Sequence, residues 1–311
     1  MIPDDAVGDR LDQVLAEMFP EFSRSVLGRW VREGFVVVDD KKVKPNYRVR
    51  GGESVVVAAT LEIRSEDQPQ AIELALLHED EHIIVLNKAA GLVVHPAAGN
   101  RDGTLLNALL HHAPELASLP RAGIVHRLDK LTSGVMVVAR SLSAHQHLVR
   151  QLQNRTMGRE YLALVRGKVI SGGSVTAPIG RHPKDRKRMA VLDMGGKEAT
   201  THFRVEQRLG PYTLLRCHLE TGRTHQIRVH MAYRGYPLVG DPVYGGRLKL
   251  PAAADDSIRA GLSGFRRQAL HAQRLTLNHP ATDEQVSFVA AVPDDMQSLL
   301  QLLAKGYADH A

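Results

Sequence analysis

The sequence predicts an α+β protein in which a small helix–helix–hairpin module precedes a mixed, mainly antiparallel β-sheet domain. Residues 9–60 contain two apolar helical stripes followed by short strand-like runs. From about residue 73 to 293, strand-like runs and helical segments are interspersed without the strict alternation of a doubly wound sheet. The polar, proline-containing stretch between these regions predicts a linker. We therefore expect domains at 1–61 and 73–311, joined by a linker at 62–72.

Two helices and a hairpin are predicted for the N-terminal module. Apolar side chains of the first helix recur on one face: Leu11, Val14, Leu15, Met18 and Phe19. A second apolar face follows at Val26, Leu27, Trp30 and Val31. Gly34 is placed to close the second helix, since glycine readily adopts the left-handed conformation found there. Phe35–Val38 is predicted to pair with the chain from Val43 onward across a turn at 39–42, and Ser54–Ala58 forms a last strand.

The large domain is predicted to be rich in short strands. Strand-like runs occur at Ile83–Leu86, Leu92–Val94, Val135–Val138, Tyr161–Val165, Thr213–Leu219 and Gln285–Val292. Helical patterns occupy residues 104–112 and 141–153. A C-terminal amphipathic helix is expected from Asp294 to about Lys305, with Asp294 or Asp295 as its N-cap.

Composition narrows the class of protein. A chain of 311 residues with 43% hydrophobic content can bury a substantial core, and its net charge of +6 favours a polyanionic partner without requiring one. The single cysteine, Cys217, excludes an internal disulfide and a cysteine-rich zinc site, which suits a reducing cytosol. The N-terminus lacks the regions of a signal peptide, and no run of about 18 apolar residues exists. We expect a cytoplasmic protein that does not contact membranes.

Common cofactor and metal signatures are absent or out of context. The chain has no Gly-x-x-x-x-Gly-Lys-Ser/Thr loop, no Gly-x-Gly-x-x-Gly after a strand and no Pro-Cys-x-x-Cys. These absences argue against ATP hydrolysis, dinucleotide redox chemistry and base deamination. His78–His82 matches the His-Glu-x-x-His pattern, but that pattern binds metal only on a helix. The β-branched residues after His82 predict two strands joined by an acidic turn, so no metal site is expected.

Asp129 is the strongest candidate for a catalytic group. It lies between Arg127 and Lys130, after the strand-like pair Ile124–Val125 and before the small-residue turn 132–134. A carboxylate at a strand end beside fixed cations stays ionised and can act as a nucleophile or a base. The residues alone identify a loop acid and no particular reaction.

A second dense cluster of polar residues covers Leu219–His230. It holds two arginines and two histidines within twelve residues. Composition alone is compatible with a half-buried strand whose polar side chains point outward. The alternative is that these side chains serve a charged site, and the residues alone leave both interpretations open.

Basic residues concentrate in two further places. In the N-terminal module they lie on or beside the second helix and the following turn: Arg24, Arg29, Arg32, Lys41, Lys42 and Lys44. In the large domain they form a basic loop: Arg181, Lys184, Arg186, Lys187 and Arg188. Either set is compatible with a solvated surface or with phosphate contacts, which need positive charge clustered on one face.

Several segments together resemble the motifs of the RluA-type pseudouridine synthases. His126–Gly134 reads His-Arg-Leu-Asp-x-x-Thr-Ser-Gly, and Thr221–Arg228 reads Thr-Gly-Arg-x-His-Gln-Ile-Arg. Glu160–Gly167 is similar to the family segment that carries a stacking tyrosine. Asn87–Leu92 is similar to an Asn-Lys-Pro-x-Gly segment in which Ala89 replaces the usual proline.

The resemblance extends over about residues 9–300. Residues 9–60 resemble the S4 RNA-binding domain, which precedes many enzymes of this type. Gly240–Gly245 and Leu270–Ala272 also match the family, and we expect turns and packing from them. Segments between residues 95 and 109 look most like the branch of the family that modifies large-subunit rRNA.

By this resemblance Asp129 is the catalytic residue and Arg228 is its ion-pair partner. Tyr161 stacks on the target base after the base leaves the RNA helix, and Arg127 occupies the vacated position. The reaction exchanges the uracil N1–C1′ bond for C5–C1′, so no cofactor and no metal are expected. The carboxylate either attacks the uridine or removes a sugar proton, and the sequence does not choose between these routes. The implied partner is RNA, as large-subunit rRNA or an assembling ribosomal subunit, and a monomer is expected.

Two other functions remain open at this point. A non-catalytic S4-containing RNA-binding or ribosome-assembly protein would carry an inactive large domain, and the intact Asp129, Tyr161 and Arg228 argue against it. An S4-linked rRNA methyltransferase would need a cofactor-binding loop, which we do not find in the sequence.

Overall fold

The structure is a computed structural model, and it describes residues 1–19, 22, 24–58, 67–97, 99–185, 188–247, 250–251 and 254–307. The chain divides into two compact units, Met1–Ser65 and Glu66–Ala311. Most of the predicted linker's first half lies outside the described residues, which resume at Asp67. Among the described residues, no helix is both long and apolar enough to span a membrane.

The N-terminal unit is a pair of helices packed on a small antiparallel sheet. Its elements are α1 (Leu11–Met18), α2 (Arg24–Glu33), β1 (Val36–Val38), β2 (Lys41–Lys42) and β3 (Val55–Val57). Strand β1 is central and pairs with both β2 and β3. The helices bury Leu15, Leu27 and Trp30 against the sheet, as their apolar spacing predicts. The predicted helix–helix–hairpin arrangement is confirmed.

The hairpin turn is shorter than the sequence suggested. Asp39 and Asp40 both adopt positive φ, 47° and 60°, and make a two-residue turn between β1 and β2. Lys41 and Lys42 therefore belong to the second strand, so the predicted turn at 39–42 was wrong in its length. Aspartate tolerates the left-handed region better than most residues, which allows so tight a turn.

The larger unit is built on one long mixed sheet. Its strands are β4 (Leu76–Glu79), β5 (Ile83–Lys88), β6 (Ser133–Ala139), β7 (Gly158–Arg166), β8 (Gly173–Thr176), β9 (Ile179–Arg181), β10 (Met189–Val191), β11 (Thr200–Leu209), β12 (Tyr212–Leu219), β13 (Leu270–Asn278) and β14 (Gln285–Val289). Its helices are α3 (Leu105–His112), α4 (Leu142–Gln153), α5 (Gln226–Tyr233), α6 (Asp256–Gly264) and α7 (Asp294–Gly306).

The strand order of the large sheet is β4-β5-β6-β13-β7-β12-β11-β8, and β14 pairs with β13. The pairing of β6 with β13 is parallel, and the other pairings of this sheet are antiparallel. The mixed, mainly antiparallel sheet predicted from the sequence is therefore confirmed. Strands β9 and β10 form a separate antiparallel pair.

The two faces of strand β7 carry different cores. Tyr161 and Ala163 point into the core that also holds the apolar side chains of α3 and α5. Leu162 and Leu164 point to the opposite side, into the core under α6 and α7. This alternation is the period of two of a β-strand. It places Tyr161 on the same face of the sheet as helix α5, which carries Arg228.

Three sequence expectations in this unit were wrong. Leu92–Val94 is no strand, and only Val93 forms an isolated bridge, to Thr104. The half-buried strand considered for Leu219–His230 ends at Leu219, and the chain turns there into α5. Helix α7 has Pro293 at its N-cap and no side-chain cap, because Asp294 and Asp295 are the first two residues of the helix, and the Asp295 carboxylate is bound by Arg267.

The His78–His82 segment forms the predicted strand–turn–strand. It spans the end of β4, the turn and the residue before β5, and Asp80 Oδ1 accepts the N–H groups of His82 and Ile83. Asp80 Oδ2 contacts His78 Nε2 at 2.7 Å and His279 Nε2 at 3.0 Å. These contacts lower the pKa of Asp80 well below its usual range, although burial opposes them. In the part of the chain that is described, no three histidine, cysteine or acidic side chains are grouped to hold a metal.

Candidate active site

Asp129 lies in the irregular segment that leads into β6. Its backbone oxygen accepts the N–H of Thr132 at 3.0 Å, which closes a tight turn. The next residue is also fixed, because the oxygen of Lys130 accepts the N–H of Gly91 at 2.8 Å. The Asp129 side chain is 18% exposed, so it is partly accessible to a ligand.

Lys88 holds the Asp129 segment in place through hydrogen bonds to backbone oxygens. It is the last residue of β5, it is only 1% exposed, and its Nζ donates to the carbonyl oxygens of Ala89, Leu92 and Lys130 at 2.8–3.1 Å. Burial lowers the pKa of Lys88 to about 7, although the Asp129 charge opposes that shift. Three carbonyl acceptors favour the ammonium form, because only an ammonium offers three donors. Lys88 thus ties β5 and its following loop to the loop of Asp129.

Arg228 joins Asp129 to a second, fully buried carboxylate. Its Nη1 donates to Asp129 Oδ2 at 2.9 Å, and its Nε and Nη2 donate to the two oxygens of Asp241 at 2.7 and 3.0 Å. The Asp241 side chain has no exposed surface, and its Oδ1 also accepts the N–H groups of Val243 and Tyr244. Such a bidentate pair fixes the plane of the guanidinium. Arg228 therefore presents Nη1 to Asp129 in one orientation.

The two carboxylates keep Arg228 charged despite its burial. Burial lowers the pKa of Arg228, but Asp241 and Asp129 outweigh it, so the net pKa is raised. Burial raises the pKa of Asp241, but Arg228 and the two backbone donors outweigh it, so the net pKa is lowered. The site thus holds one cation between two anions, as a buried charge requires.

Gln226 shapes the loop that leads into α5. Its Oε1 accepts from Thr221 Oγ1 at 2.8 Å and from Arg223 N at 2.9 Å, and its Nε2 donates to the oxygen of Thr200 at 3.0 Å. His225 takes a left-handed conformation, φ 58°, and α5 begins directly after it. His225 and Arg228 are then one helical turn apart and share a face toward Asp129.

His225 borders Asp129 on the side away from Arg228. Its Nε2 is 3.8 Å from Asp129 Oδ1, and its Nδ1 lies 2.8 Å from the Tyr244 hydroxyl. That hydroxyl already accepts the N–H of Met189 at 2.9 Å, so its own proton is free for His225 Nδ1. Burial lowers the pKa of His225, against the effect of Asp129. A neutral ring with its proton on Nε2, facing Asp129, fits these contacts.

Tyr161 lies on β7 beside this group of charges. It is 7% exposed, and burial raises the pKa of its phenol, with Asp129 adding to the effect and Arg159 opposing it. The phenol therefore stays protonated.

The remaining predicted residues occupy different environments. Arg127 is exposed beside the site, and its charge is one of the smaller causes that lower the pKa of His225 after burial. Arg24 is committed to Asp12, which it meets with two hydrogen bonds of 3.0 and 3.1 Å. The other described cations of the two basic groups are exposed, apart from Arg188: Arg29, Arg32, Lys41, Lys42, Lys44, Arg181 and Lys184. Arg186 and Lys187 lie outside the described residues.

Arg188 differs from the rest of its loop. Its guanidinium lies 5.4 Å from the centre of the Tyr244 ring, whose centre is 5.0 Å from the guanidinium of Arg228. Arg188 is half-buried, and within the described part of the chain its Nε has no hydrogen-bond partner. The loop thus brings one of its cations to the edge of the site rather than to open surface.

Sequence reasoning missed four side chains around Asp129. Asp241 and Tyr244 belong to the Gly240–Gly245 segment, from which only a turn and packing were expected; in the structure they bind Arg228 and His225. His225 lies within a motif that was recognised, but no role was given to it. Lys88 belongs to the Asn87–Leu92 segment, and a lysine that follows a run of apolar strand residues was the available signal.

Comparisons with known proteins show which proteins this chain is similar to. The family model described as RNA pseudouridylate synthase matches residues 82–233, and the S4 domain model matches residues 9–55. The chain is 54% identical over 308 residues to the ribosomal large subunit pseudouridine synthase D of Xanthomonas campestris, covering 99% of this chain and 93% of that protein. Its identity to the protein of the same name from Pseudomonas aeruginosa is 53%, covering 97% of this chain and 94% of that protein. Its identity to the one from Escherichia coli O6:H1 is 49%, covering 99% of this chain and 95% of that protein.

Two solved structures are similar to about three quarters of the chain. The human RNA pseudouridylate synthase domain containing 4 matches with a TM-score of 0.58 and 26% identity, covering 74% of this chain and 92% of that one. The human RNA pseudouridylate synthase domain containing 1 matches with a TM-score of 0.53 and 24% identity, covering 76% and 97%. At 24% identity, the second similarity supports the fold and no functional conclusion.

Proposed function

The chain belongs to the RNA pseudouridylate synthase family, and from that premise we propose that it converts uridines of large-subunit rRNA to pseudouridine with Asp129 as the catalytic group. The observation that carries the proposal is the Asp129–Arg228–Asp241 arrangement. It holds Asp129 Oδ2 at 2.9 Å from a cation and leaves the side chain partly exposed. An oriented carboxylate with an accessible oxygen can attack uridine or remove a sugar proton.

Tyr161 and Arg127 would handle the target nucleotide. A uridine inside an RNA helix has to leave its stack before Asp129 can reach it, at a cost of roughly a few kcal/mol. We propose that the ring of Tyr161 stacks on the extruded base and that Arg127, which is exposed beside the site, takes the vacated place. Stacking on an aromatic side chain contributes roughly 1–3 kcal/mol per base, which offsets much of that cost.

The basic side chains would bind the RNA backbone. The exposed lysines of β2 and the exposed arginines of α2 belong to the unit that matches the S4 domain model. Arg24 is the weakest member of this group, since its guanidinium is held by Asp12. Arg181 and Lys184 of the larger unit are exposed and Arg188 reaches the edge of the site, so these three would bind phosphates near the target uridine.

The same proposal implies a substrate, an oligomeric state and a cellular location. Full-length relatives at 49–54% identity carry the name ribosomal large subunit pseudouridine synthase D, which favours large-subunit rRNA, free or in an assembling subunit. One chain supplies Asp129, Arg228, Asp241 and His225, so a monomer is sufficient for the site. We place the protein in the cytoplasm, the compartment that contains this substrate.

The test is a reaction without cofactors. The full-length protein is incubated with a large-subunit rRNA transcript, and pseudouridine is mapped by carbodiimide modification and primer extension. We expect reverse-transcription stops at a few defined uridines that are absent without enzyme. A full-length, folded protein that binds the transcript but forms no pseudouridine, on free rRNA or on isolated subunits, would contradict the proposal and favour a non-catalytic RNA-binding role.

A further inference from the structure

Arg159 is a buried arginine that has no carboxylate partner among the described residues. It lies on β7, two residues before Tyr161, and it is 7% exposed. Its hydrogen bonds go from Nη2 to two backbone oxygens, those of Leu219 at 3.4 Å and Glu220 at 3.1 Å. Its Nε is buried, and no described residue accepts a hydrogen bond from it. Burial lowers the pKa of Arg159, and Arg223 lowers it further. A buried cation with no counter-ion is costly, so its retention calls for a reason.

The position of Arg159 is at the junction of three segments of the site. Side chains two apart on a strand share a face, so Arg159 points to the same side as Tyr161. Its charge contributes to the lowered pKa of His126, three residues before Asp129, after the larger effect of burial. A Cβ atom added to Gly222 would lie only 2.7 Å from Arg159 Nη1. The absence of a side chain at Gly222 therefore leaves space for the Arg159 guanidinium.

Arg159 and Tyr161 are neighbours on one face of strand β7. Burial raises the pKa of the Tyr161 phenol; the Arg159 charge lowers that pKa and the Asp129 charge raises it. Because Arg159 and Tyr161 share a face of β7, a base that stacks on Tyr161 would lie beside the Arg159 side chain, with a carbonyl oxygen able to face the guanidinium.

The proposed reaction creates negative charge on the carbonyl oxygens of the base. If Asp129 removes the C2′ proton, the N1–C1′ bond breaks with its electron pair on N1, and the charge is shared with O2 and O4. If Asp129 attacks C6, the C5–C6 electron pair moves toward O4. In the first route C2′ regains its proton from Asp129 as C5 bonds to C1′. In the second route the N1–C1′ bond breaks as C5 bonds to C1′, and the Asp129–C6 bond breaks as C5 loses its proton. In both routes C5 loses one proton and N1 gains one, so the product is an isomer. Every route passes through an anionic uracil.

From these observations we propose that Arg159 is a further catalytic residue, whose guanidinium contacts a uracil carbonyl and stabilises the anionic base. The inference rests on the proposed function. A rotation of uracil about its N3–C6 axis exchanges N1 with C5 and also O2 with O4, so the cation faces a carbonyl oxygen before and after the base turns. A fixed cation in a water-poor site stabilises such charge strongly, because no solvent has to reorganise.

The test compares Arg159→Met, Arg159→Lys and Gly222→Ala with the wild type in single-turnover pseudouridine formation. Removing one preorganised stabilising group lowers the rate by roughly 10²–10³-fold, which we expect for Arg159→Met. Arg159→Lys keeps the charge and should recover part of the rate. Gly222→Ala should also be slow, because its new methyl group displaces the guanidinium. Arg274→Met is the matched control, since its guanidinium is 44% exposed and lies near Glu160.

Two further readouts separate this role from the alternatives. Methionine in place of a buried unpaired charge should leave the melting temperature unchanged or raise it, whereas a structural arginine would lower it. Affinity for RNA, measured with the target uridine and with an abasic target, should change by less than about threefold, since one phosphate contact would weaken both equally. An unchanged rate, or an equal loss of affinity for both RNAs with an unchanged rate, overturns the inference. Absence of turnover in the wild type overturns the proposed function and this inference with it.

Discussion

Asp241 offers a direct test of how the site is held together, because it never meets the substrate in the proposed mechanism. Its two oxygens bind Arg228 Nε and Nη2 at 2.7 and 3.0 Å, and its side chain has no exposed surface. The substitution Asp241→Asn keeps the size and one oxygen, which can still accept the N–H groups of Val243 and Tyr244. It removes the charge and turns an amide N–H₂ toward a guanidinium that can only donate.

The expected magnitude follows from burial. Breaking a buried ion pair by removing one partner costs about 3–5 kcal/mol, since the other charge stays buried. For a unit of this size, each kcal/mol lowers the melting temperature by about 2–4 °C, so a loss of roughly 6–20 °C is expected. Arg228 would then lose its orientation toward Asp129. A displacement of about 1 Å in a reacting group lowers the rate by roughly 10²-fold.

The assay measures both effects on the same variant. Melting is followed by circular dichroism, and single-turnover pseudouridine formation is measured well below the lowered melting temperature. Glu206→Gln is the matched control, because Glu206 is 34% exposed and pairs with Arg216 at 2.7 Å away from the site. We expect that control to change stability by less than about 1 kcal/mol and to leave the rate unchanged. An Asp241→Asn protein with wild-type stability and rate would refute the claim that Asp241 fixes Arg228.

Three further outcomes follow from the structure. Tyr161→Phe should keep most of the activity because the ring can still stack, whereas Tyr161→Ala should lose it in a turnover assay; equal losses would indicate a role for the hydroxyl. Asp80→Asn should lower stability by roughly 1–3 kcal/mol at pH 7. The pKa of Asp80 is lower in the folded state than in the unfolded state. Its contribution to stability is therefore present above the unfolded pKa of about 3.9 and is lost as pH falls through the folded pKa. The prediction is contradicted if urea unfolding gives the same difference in stability between wild type and Asp80→Asn at pH 7 and at pH 3. Replacing Lys41 and Lys42 by Gln should lower the salt slope of RNA affinity by about 0.7–0.9 per lost contact, and an unchanged slope would show that they touch no phosphate.

The sequence predicted the elements whose signals are local. The apolar stripes of α1 and α2, the strands around Ile83 and Tyr161, and the helix that Thr104 caps all depend on periodicity or on capping within a few residues. Asp129, Tyr161 and Arg228 were singled out because the motifs around them resemble a known family.

What the sequence missed depends on contacts between distant segments. Asp241 meets Arg228 only because the chain after α5 returns beneath it, and the Gly-Asp-Pro segment alone reads as a turn. Lys88 and Lys130 are far apart in sequence, so the support of the Asp129 loop was not visible. The Leu92–Val94 error has the opposite cause, because a run of apolar residues can fill a core without pairing as a strand.

The most direct measurement of the central claim is single-turnover pseudouridine formation by the Asp129→Asn protein on the same rRNA transcript. Asparagine keeps the size of the side chain but has neither the charge nor the nucleophilicity that both routes need. We expect no detectable product, with RNA affinity within a few-fold of the wild type. Turnover by Asp129→Asn close to the wild-type rate would contradict the assignment of Asp129 as the catalytic group.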